Sequence, residues 1–491
     1  MVQRPGERIK LKPATGREIV RLLERYNLSD TSEDIKGIAF ERFLGKTFRG
    51  EIGQFFTPRS IVDFMVRMVD PKEGNIACDP ASGSGGFLIR FFDIVRQQIL
   101  MDADNEYQEY KRRITAKYRH SARGAEELRK KYEAIQASID QRREGSRTWR
   151  LSNTCIYGTD ANDRMAWTSK MNMILHGDGH GGVHQHNGFI NVNGIFEERF
   201  DIILTNPPFG AYVEPSDVLT EEQIATSPEQ FRRYSNEYGD LYKRAQAHVA
   251  AARGKPIASL FELPTQGGRK LGKIKTEILF IERCLSLLKP GGRLGIVLPE
   301  GIFNNPSLAY VREFCEDRAY IRAVVSLPQD TFVSTGATVK ASLLFMQKFT
   351  AKEKIDYDRK KAAADKEIRE KYTREISAAV SKLKLYIEKA AKNKDADRRK
   401  QLQAELRQYE KDMEAKLQAE AGALLKEQFA YPVFLYEAQH VGITATGEPD
   451  TTELYEDAKL GLPAGVTADA TALALYRAFR SNPDSSVRVQ A

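Results

Sequence analysis

The sequence predicts an α/β fold in which strands and helices alternate around a parallel, doubly wound sheet, with a long helical hairpin inserted late in the chain. Three observations predict it. Short apolar runs and amphipathic helical stretches take turns from about residue 58 to residue 348, the order that parallel strands with crossover helices require. The first strand ends in an acid and runs into a glycine-rich turn, Asp79-Pro80-Ala81-Ser82-Gly83-Ser84-Gly85-Gly86. Residues 352–428 hold almost no helix breakers, and apolar side chains recur there every three or four positions.

The elements follow in order. The first fifty residues read as a helical segment (1–50), with Ile19, Leu22 and Leu23 at helical spacing over 15–26 and Ile35, Ile38, Ala39 and Phe43 over 32–44. Gly53-Gln54-Phe55-Phe56-Thr57-Pro58 interrupts the pattern, and a helix opens at Pro58 through Ile61, Val62, Phe64 and Met65. The body, 51–349, then reads as a strand over 75–78, a helix over 87–100, and a strand from 154 to 157 that runs out through Gly158 and Thr159 to Asp160. A helix over 164–175 and a strand over 200–204 follow. A helix over 276–288 is stopped by Lys289-Pro290-Gly291-Gly292, and strands at 294–298, 321–326 and 341–346 complete the body.

Two insertions break this rhythm. Residues 105–150 separate the first two strands by more than a usual crossover and read as a basic helical pair. Residues 350–428 read as an antiparallel coiled-coil hairpin, turning near Asn393-Lys394-Asp395. The C-terminal segment, 429–491, ends in a polar tail expected to fray from 481 onward.

Composition narrows the class. The chain has 491 residues, 41% hydrophobic and 9% aromatic. No run is apolar enough to span a bilayer, and the polar start is no signal peptide, so a cytoplasmic protein without a membrane partner is expected. Cys78, Cys155, Cys284 and Cys315 form no CxxC pair and read as buried small hydrophobes in a reducing compartment. The net charge is +8, while residues 107–150 carry +7 and residues 350–428 carry +5, so the rest of the chain is net negative. Contact with phosphate backbones is one reading of that asymmetry, and charge-laced, solvated helix faces are the other.

The motifs carry the chemistry. The Asp79 turn places a carboxylate at a strand's carboxyl end beside backbone amides that glycine leaves open to a ligand. It lacks the Gly-Lys-Ser/Thr of a phosphate loop and the GxGxxG spacing of a dinucleotide fingerprint. Asp160, at the end of the next strand, is placed to hydrogen-bond a ribose diol, with Asp163 assigned to cap the following helix. The loop Asn206-Pro207-Pro208-Phe209 follows the apolar strand Ile202-Ile203-Leu204, and its prolines fix the backbone. The Asn206 side-chain carbonyl and the Pro207 backbone carbonyl can accept both hydrogens of a planar amino group, such as that of adenine. Those bonds pyramidalise the nitrogen and free its lone pair, while Phe209 stacks on a base flipped out of its duplex. His176, His180, His184 and His186 sit in a glycine-rich stretch read as a surface loop near the crevice. With no cysteine or paired acid to complete the set, no metal site is expected.

Taken together, Gly53 to Arg59, Asp79 to Phe87, Asp160, Asn206 to Phe209 and Leu287 to Arg293 resemble, in that order, the N6-adenine DNA methylase family. The likeness is to the modification subunit of type I restriction-modification systems. It covers residues 35–348 and implies a seven-stranded, Rossmann-like methyltransferase sheet using S-adenosylmethionine. The methionine end of the cofactor would lie at Gln54, Phe55, Phe56, Thr57, Pro58, Arg59, Ser84, Gly85 and Gly86, with Asp79 alongside and the ribose on Asp160. A further acid or amide usually meets the cofactor's adenine, and Asn193 is nominated, with Asp178 as its rival. The resemblance implies DNA as substrate, and a separate specificity subunit and a nuclease subunit as partners in a restriction-modification or phage-defence system. The short segment before Gln54, the basic insertion, and the lack of an independent sequence-reading domain after Lys348 depart from the family pattern. The last of these favours sequence reading by the specificity subunit. Two other classes are weighed: a methyltransferase acting on protein glutamine or RNA, and a catalytically silent DNA-binding scaffold. The Gln54 to Arg59 motif argues against the first, and the intact Asp79, Asp160 and Asn206 against the second.

Overall fold

The computed structural model describes residues 12–24, 57–119, 121–177, 181–266, 269–270, 272–335 and 338–482. Helix α1 (Pro13–Leu23) holds Ile19, Val20 and Leu22 exposed. The helix expected over 32–44 and the tail from 483 lie outside the described residues.

The core is one mixed sheet. Its strands are β1 (Ala77–Asp79), β2 (Ile156–Asp160), β3 (Val183–Gln185), β4 (Phe200–Thr205), β5 (Leu288–Pro299), β6 (Ala319–Ser326), β7 (Ala341–Lys348) and β8 (Phe434–Glu437). They lie side by side in the order β8-β6-β7-β5-β4-β1-β2-β3. β3, β2, β1, β4 and β5 are parallel, β7 is antiparallel to both neighbours, and β8 runs parallel to β6. Eight strands thus replace the seven implied, because the segment after the hairpin returns to extend the sheet. β3 is also a correction: the histidine- and glycine-rich stretch read as a surface loop supplies the opposite edge strand.

Helices pack on both faces of the sheet or extend from it: α2 (Arg59–Met68), α3 (Gly86–Tyr118), α4 (Ala122–Ile139), α5 (Arg147–Thr154), α6 (Asp163–Leu175), α7 (Pro228–Ala251), α8 (Thr276–Leu287), α9 (Ala309–Glu316), α10 (Ala351–Lys392), α11 (Ala396–Gln428) and α12 (Ala472–Ser481). Alternate strand residues serve the two faces. Ala77, Ile156, Ile202 and Leu204 pack with Phe64 of α2 and Phe91 of α3. Cys78, Tyr157 and Ile203 pack on the other side with Leu279 and Ile281 of α8. All four cysteines are buried and free.

The crossover helix α3 does not stop near residue 100, because no glycine or proline interrupts it before Gly124. It passes the loop that enters β1, where Gln98 donates to Pro71 O at 3.1 Å and Arg147 of α5 pairs with Glu73 and Asp102. Beyond that point α3 has left the amino-terminal edge of the sheet. At 1.5 Å per residue its remainder reaches roughly 25 Å further, with α4 packed along it.

The second helix pair is antiparallel. Thr350 and Glu353 form a capping box on α10, and Asp395 caps α11. Arg369 meets Glu414 at 2.7 Å, and Tyr372 donates to Glu420 at 2.6 Å. At its base Tyr357 and Phe429 stack edge-on, ring centroids 5.1 Å apart, and the Tyr357 hydroxyl donates to Asp317 at 2.7 Å. The C-terminal segment closes the body. Ser60 of α2 donates to Val441 O at 2.5 Å, and Phe434 of β8 lies 5.5 Å from Tyr476 of α12.

Phe434 is 8% exposed and its neighbour Leu435 is 70% exposed. Phe434→Ala is therefore expected to destabilise the protein by about 3 kcal/mol, and Leu435→Ala by roughly 0.5 kcal/mol or less. Urea denaturation of the two variants checks this, and equal losses would mean that β8 does not belong to the sheet.

A candidate active site where the strand order reverses

β1 lies between β2 and β4, so the chain leaves it toward opposite sides, and a crevice opens at the carboxyl ends of these strands. Asp79 ends β1 and is 1% exposed. One carboxylate oxygen, Oδ1, accepts from Ala81 N at 3.0 Å and from Thr205 Oγ1 at 2.7 Å. Thr205 ends β4, and Asn206 follows it, so the acid and the amide stand on adjacent strand ends.

The glycine-rich turn is clipped to β2. Ser82 N donates to Thr159 O at 2.8 Å, and Gly83 N donates to Asp160 Oδ2 at 3.0 Å. Gly85 caps α3 at φ 85°, a backbone conformation that strains any side chain, and a Cβ there would lie 2.6 Å from Ser169 Oγ. Asn172 of α6 donates to Ser84 O at 3.1 Å. Three atoms lining this turn, Ser82 Oγ, Ser169 Oγ and Asn172 Oδ1, are buried without a hydrogen-bond partner among the described residues.

The Asn206 loop is braced from both sides. Asn206 Nδ2 donates to Thr57 Oγ1 at 3.0 Å, and Asn206 Oδ1 is buried without a donor among the described residues. Thr276 Oγ1 of α8 donates to Pro208 O at 2.9 Å, and Gly210 N donates to Glu277 Oε2 at 3.2 Å. Pro207 is buried, Pro208 is exposed, and Phe209 is half-buried against the core.

The structure therefore brings together Thr57, Pro58, Arg59, Asp79, Ser84, Gly85, Gly86, Asp160 and Asn206 to Phe209. Gln54, Phe55 and Phe56 lie outside the described residues, as do Asp178 and His180. Asn193 is not brought to the crevice. Its Nδ2 meets His184 Nδ1 at 3.1 Å, and the next residue, Gly194, packs on Tyr157 and Arg199, toward the strands' amino ends. The helix after β2 is capped by Asn162, whose side chain accepts from Met165 N, and not by Asp163. The described histidines each have their own partners. His176 bonds Asn172 O, His184 meets Asn193, and His186 meets Gln223 O and Asn187 O. Burial lowers the pKa of His184 to about 4. Among the described residues no group of His, Cys, Asp and Glu is arranged to hold a metal ion, and no helix is long and apolar enough to cross a membrane.

Residues 31–122, 135–240 and 269–419 match the family model described as N-6 DNA Methylase. The chain belongs to the N-6 DNA methylase family. It is 23% identical over 336 residues to the type I restriction enzyme EcoEI methylase subunit of Escherichia coli, covering 68% of this chain and 50% of that one. The EcoKI methylase subunit of Escherichia coli K12 is 22% identical over 325 residues, 65% of this chain and 45% of its own length. The solved EcoKI M protein is 18% identical with a TM-score of 0.37, covering 62% of this chain and 46% of that one. The chain spans about half the length of these curated relatives.

Four functional candidates escape a linear reading. Asn187 sits just beyond β3, next to His186, whose N donates to Asp160 O at 3.0 Å; its Oδ1 accepts from Phe189 N at 3.0 Å, which leaves its Nδ2 as the free end of the amide beside Asp160. Close approach of this loop to Pro80 requires Gly188, where a Cβ would strike Pro80 O. Asn172, Thr276 and Glu277 are the others. Asn172 and Glu277 are each 1% exposed, and a buried polar residue on an apolar helix face is the signal that marks them.

The two acids at the strand ends are shifted in the same direction. Burial raises the pKa of Asp79 to about 7, opposed by the Thr205 and Ala81 hydrogen bonds and reinforced by the negative charge of Asp160. Asp160 is also raised by burial. An acid raised in the folded state binds protons that the unfolded chain, near 3.8, does not hold. Its contribution therefore favours folding at low pH and is lost as the pH rises through about 7. The ligand-free protein should thus melt progressively lower between pH 5 and pH 8, and Asp79→Asn should flatten that slope and raise Tm at pH 8. Parallel slopes for both proteins would show that Asp79 is not the group concerned.

Proposed function

We propose that this chain transfers a methyl group from S-adenosylmethionine to the N6 amino group of an adenine flipped out of DNA, as the modification subunit of a restriction-modification or phage-defence system. One observation carries the reading: the buried acceptor Asn206 Oδ1, without a partner among the described residues, on a loop braced at Thr57, Thr276 and Glu277. A buried carbonyl without a donor costs about 1–3 kcal/mol, and an entering amino group removes that cost. With Thr57 Oγ1 accepting from its amide nitrogen, Asn206 has its carbonyl oriented for a donor. Asn206 Oδ1 and Pro207 O then take both amino hydrogens, and the nitrogen lone pair turns out of the ring plane. Phe209 stacks on the flipped base. No dedicated base is required, because the amino nitrogen becomes strongly acidic once it carries the methyl group.

The donor set fits the cofactor. When bound, the sulfonium of S-adenosylmethionine supplies an electrophilic methyl group. Asp79 has no cation among the groups that shift its pKa, so a positively charged ligand relieves a buried, uncompensated carboxylate. Each oxygen of Asp160 accepts one backbone N–H, from Asn162 and Gly83, and each keeps a second lone pair for a ribose diol. The N–H groups at the start of α3, from Gly86 onward, and the unpartnered Ser82 Oγ and Asn172 Oδ1 serve the amino-acid end, together with Thr57 to Arg59 and, by family resemblance, Gln54 to Phe56. Asn187 replaces Asn193 as the residue for the cofactor's adenine.

DNA as the substrate, and not RNA or a protein amide, rests on the family match and on relatives that are restriction-enzyme methylase subunits. A separate specificity subunit selects the sequence, with α10 and α11 as the helical pair on which it docks, and a nuclease subunit completes the system. Asn206→Ala should abolish transfer of labelled methyl groups to DNA adenine while leaving S-adenosylmethionine affinity within about twofold. Asp79→Ala should lose both, and cofactor binding by wild type should tighten as the pH rises through 7. Full methylation by Asn206→Ala would refute the mechanism. Deleting 352–428 should abolish co-purification of the specificity subunit; a complex that survives the deletion would remove the hairpin from assembly.

A further inference from the structure

The excess positive charge of the α3–α4 pair stands on the wrong edge for the target base. α3 begins at the crevice and leaves the sheet at its amino-terminal edge, as the bond from Gln98 to Pro71 O and the Arg147 bridge between Asp102 and Glu73 show. Several of its cations also have partners. Arg129 pairs with Glu126 and Glu133, Lys131 pairs with Glu106, and Arg113 and Lys117 lie over Tyr110 and Tyr118. This pair reads as a charge-laced arm pointing away from the crevice.

On the crevice side, the chain leaving Phe209 forms a two-stranded ribbon. Tyr212–Val213 pairs antiparallel with Ile274–Lys275. Val213 and Ile274 are buried, at 6% and 3% exposure, while Tyr212 turns outward at 44%. The Lys273 ammonium lies 4.4 Å from the centre of the Tyr212 ring. The Lys275 side chain is 45% exposed, with Glu277 Oε1 3.8 Å from its ammonium. The ribbon is rigidly tied to the Asn206 loop, because Thr276 N donates to Ala211 O at 3.0 Å and Thr276 Oγ1 to Pro208 O at 2.9 Å. An exposed aromatic ring, two ammonium groups and a flipped-base loop thus share one small rigid element.

Resting on the reaction assigned above, we propose that this ribbon grips the duplex at the point where the target adenine leaves it. The Tyr212 ring occupies the vacated place in the base stack, and Lys273 and Lys275 neutralise the flanking phosphates. The chemistry follows from what flipping costs. An emptied stack position exposes two base faces that an aromatic ring covers, at roughly 1–3 kcal/mol per stacked base. Each phosphate neutralised releases a counterion and steepens the dependence of binding on salt. Tyr212 stands three residues from Phe209, so ring and target base are held by the same backbone.

The test uses the full chain with its co-purifying subunits, on duplexes containing the site mapped from the native genome, reading N6-methyladenine and the KM for DNA. Tyr212→Ala should raise KM for DNA at least tenfold with unchanged cofactor affinity, and Tyr212→Phe should behave as wild type. Placing an abasic site opposite the target adenine, which removes its pairing, should rescue Tyr212→Ala more than wild type. Lys273→Ala should raise KM at least threefold and lower the salt slope by about one counterion. A triple change of Lys111, Arg112 and Arg113 to Ala should leave both unchanged. If Tyr212→Ala and Lys273→Ala match wild type while wild type methylates DNA, the ribbon proposal is overturned and the reaction stands. If wild type transfers no methyl group to DNA adenine, the reaction itself is overturned, and the ribbon proposal with it.

Discussion

The hydrogen bond from Thr205 Oγ1 to Asp79 Oδ1, 2.7 Å long and inside the sheet, is the contact on which the rest of the site depends. It ties the last residue of β4 to the last residue of β1, where the strand order reverses among the parallel strands. Asp79 tolerates burial partly because Thr205 donates to it, and Asn206 begins where Thr205 ends. The carboxylate that suits a cationic ligand and the amide that suits an amino group are therefore held by rigid strand ends, which place groups more accurately than a free loop can. Thr57, Thr276 and Glu277 then fix the remaining freedom of the Asn206 loop from two further elements.

Much of this was legible in the sequence where local constraints and tertiary ones agree. Asp79 and Asn206 follow apolar strands and precede glycines or prolines, so strand end and loop are marked by neighbouring residues. β3 was illegible, because three residues, Val183-His184-Gln185, carry no measurable period and sit among histidines and glycines that read as loop. That omission caused the choice of Asn193 over Asn187, since a residue's place beyond a strand end means nothing until the strand is known. The cap at Asn162 was missed by one residue, because Asp163 serves the first helical turn equally well by charge. β8 depends on pairing with β6, at residues over a hundred positions earlier, and no local pattern records such pairing. Thr276 and Glu277 look like an ordinary helix start; only the fold shows that they hold the loop.

Charge shows the same limit from another side. Counting lysines and arginines locates net charge along the chain, but its direction in space depends on whether a helix stops or continues. Because α3 continues past residue 100, the most basic segment is carried away from the crevice. The strand ends at the floor of the crevice hold two buried acids, Asp79 and Asp160, which disfavour a phosphate there once Asp79 is ionised. A polyanionic substrate delivered to such a place needs cations at the rim and not in the floor. Lys273 and Lys275 stand at that rim, one short strand away from Phe209.

The distribution of unpaired polar atoms points the same way. Most buried polar groups in folded proteins find a partner, and each one that does not costs about 1–3 kcal/mol, against a total stability of roughly 5–15 kcal/mol. Among the described residues, Ser82 Oγ, Ser169 Oγ, Asn172 Oδ1 and Asn206 Oδ1 are unpartnered around one crevice. Asp79 adds a carboxylate whose raised pKa records the same lack of compensation. A protein that concentrates such costs where two strand ends meet has left its hydrogen-bonding capacity for molecules that arrive later. The two kinds of vacancy differ in sign. The Asp79 side has excess negative charge and suits a cation, while Asn206 offers a neutral acceptor and suits an uncharged amine. In the proposed reaction a cationic electrophile and an uncharged nucleophile would thereby be received at the ends of two hydrogen-bonded, adjacent strands.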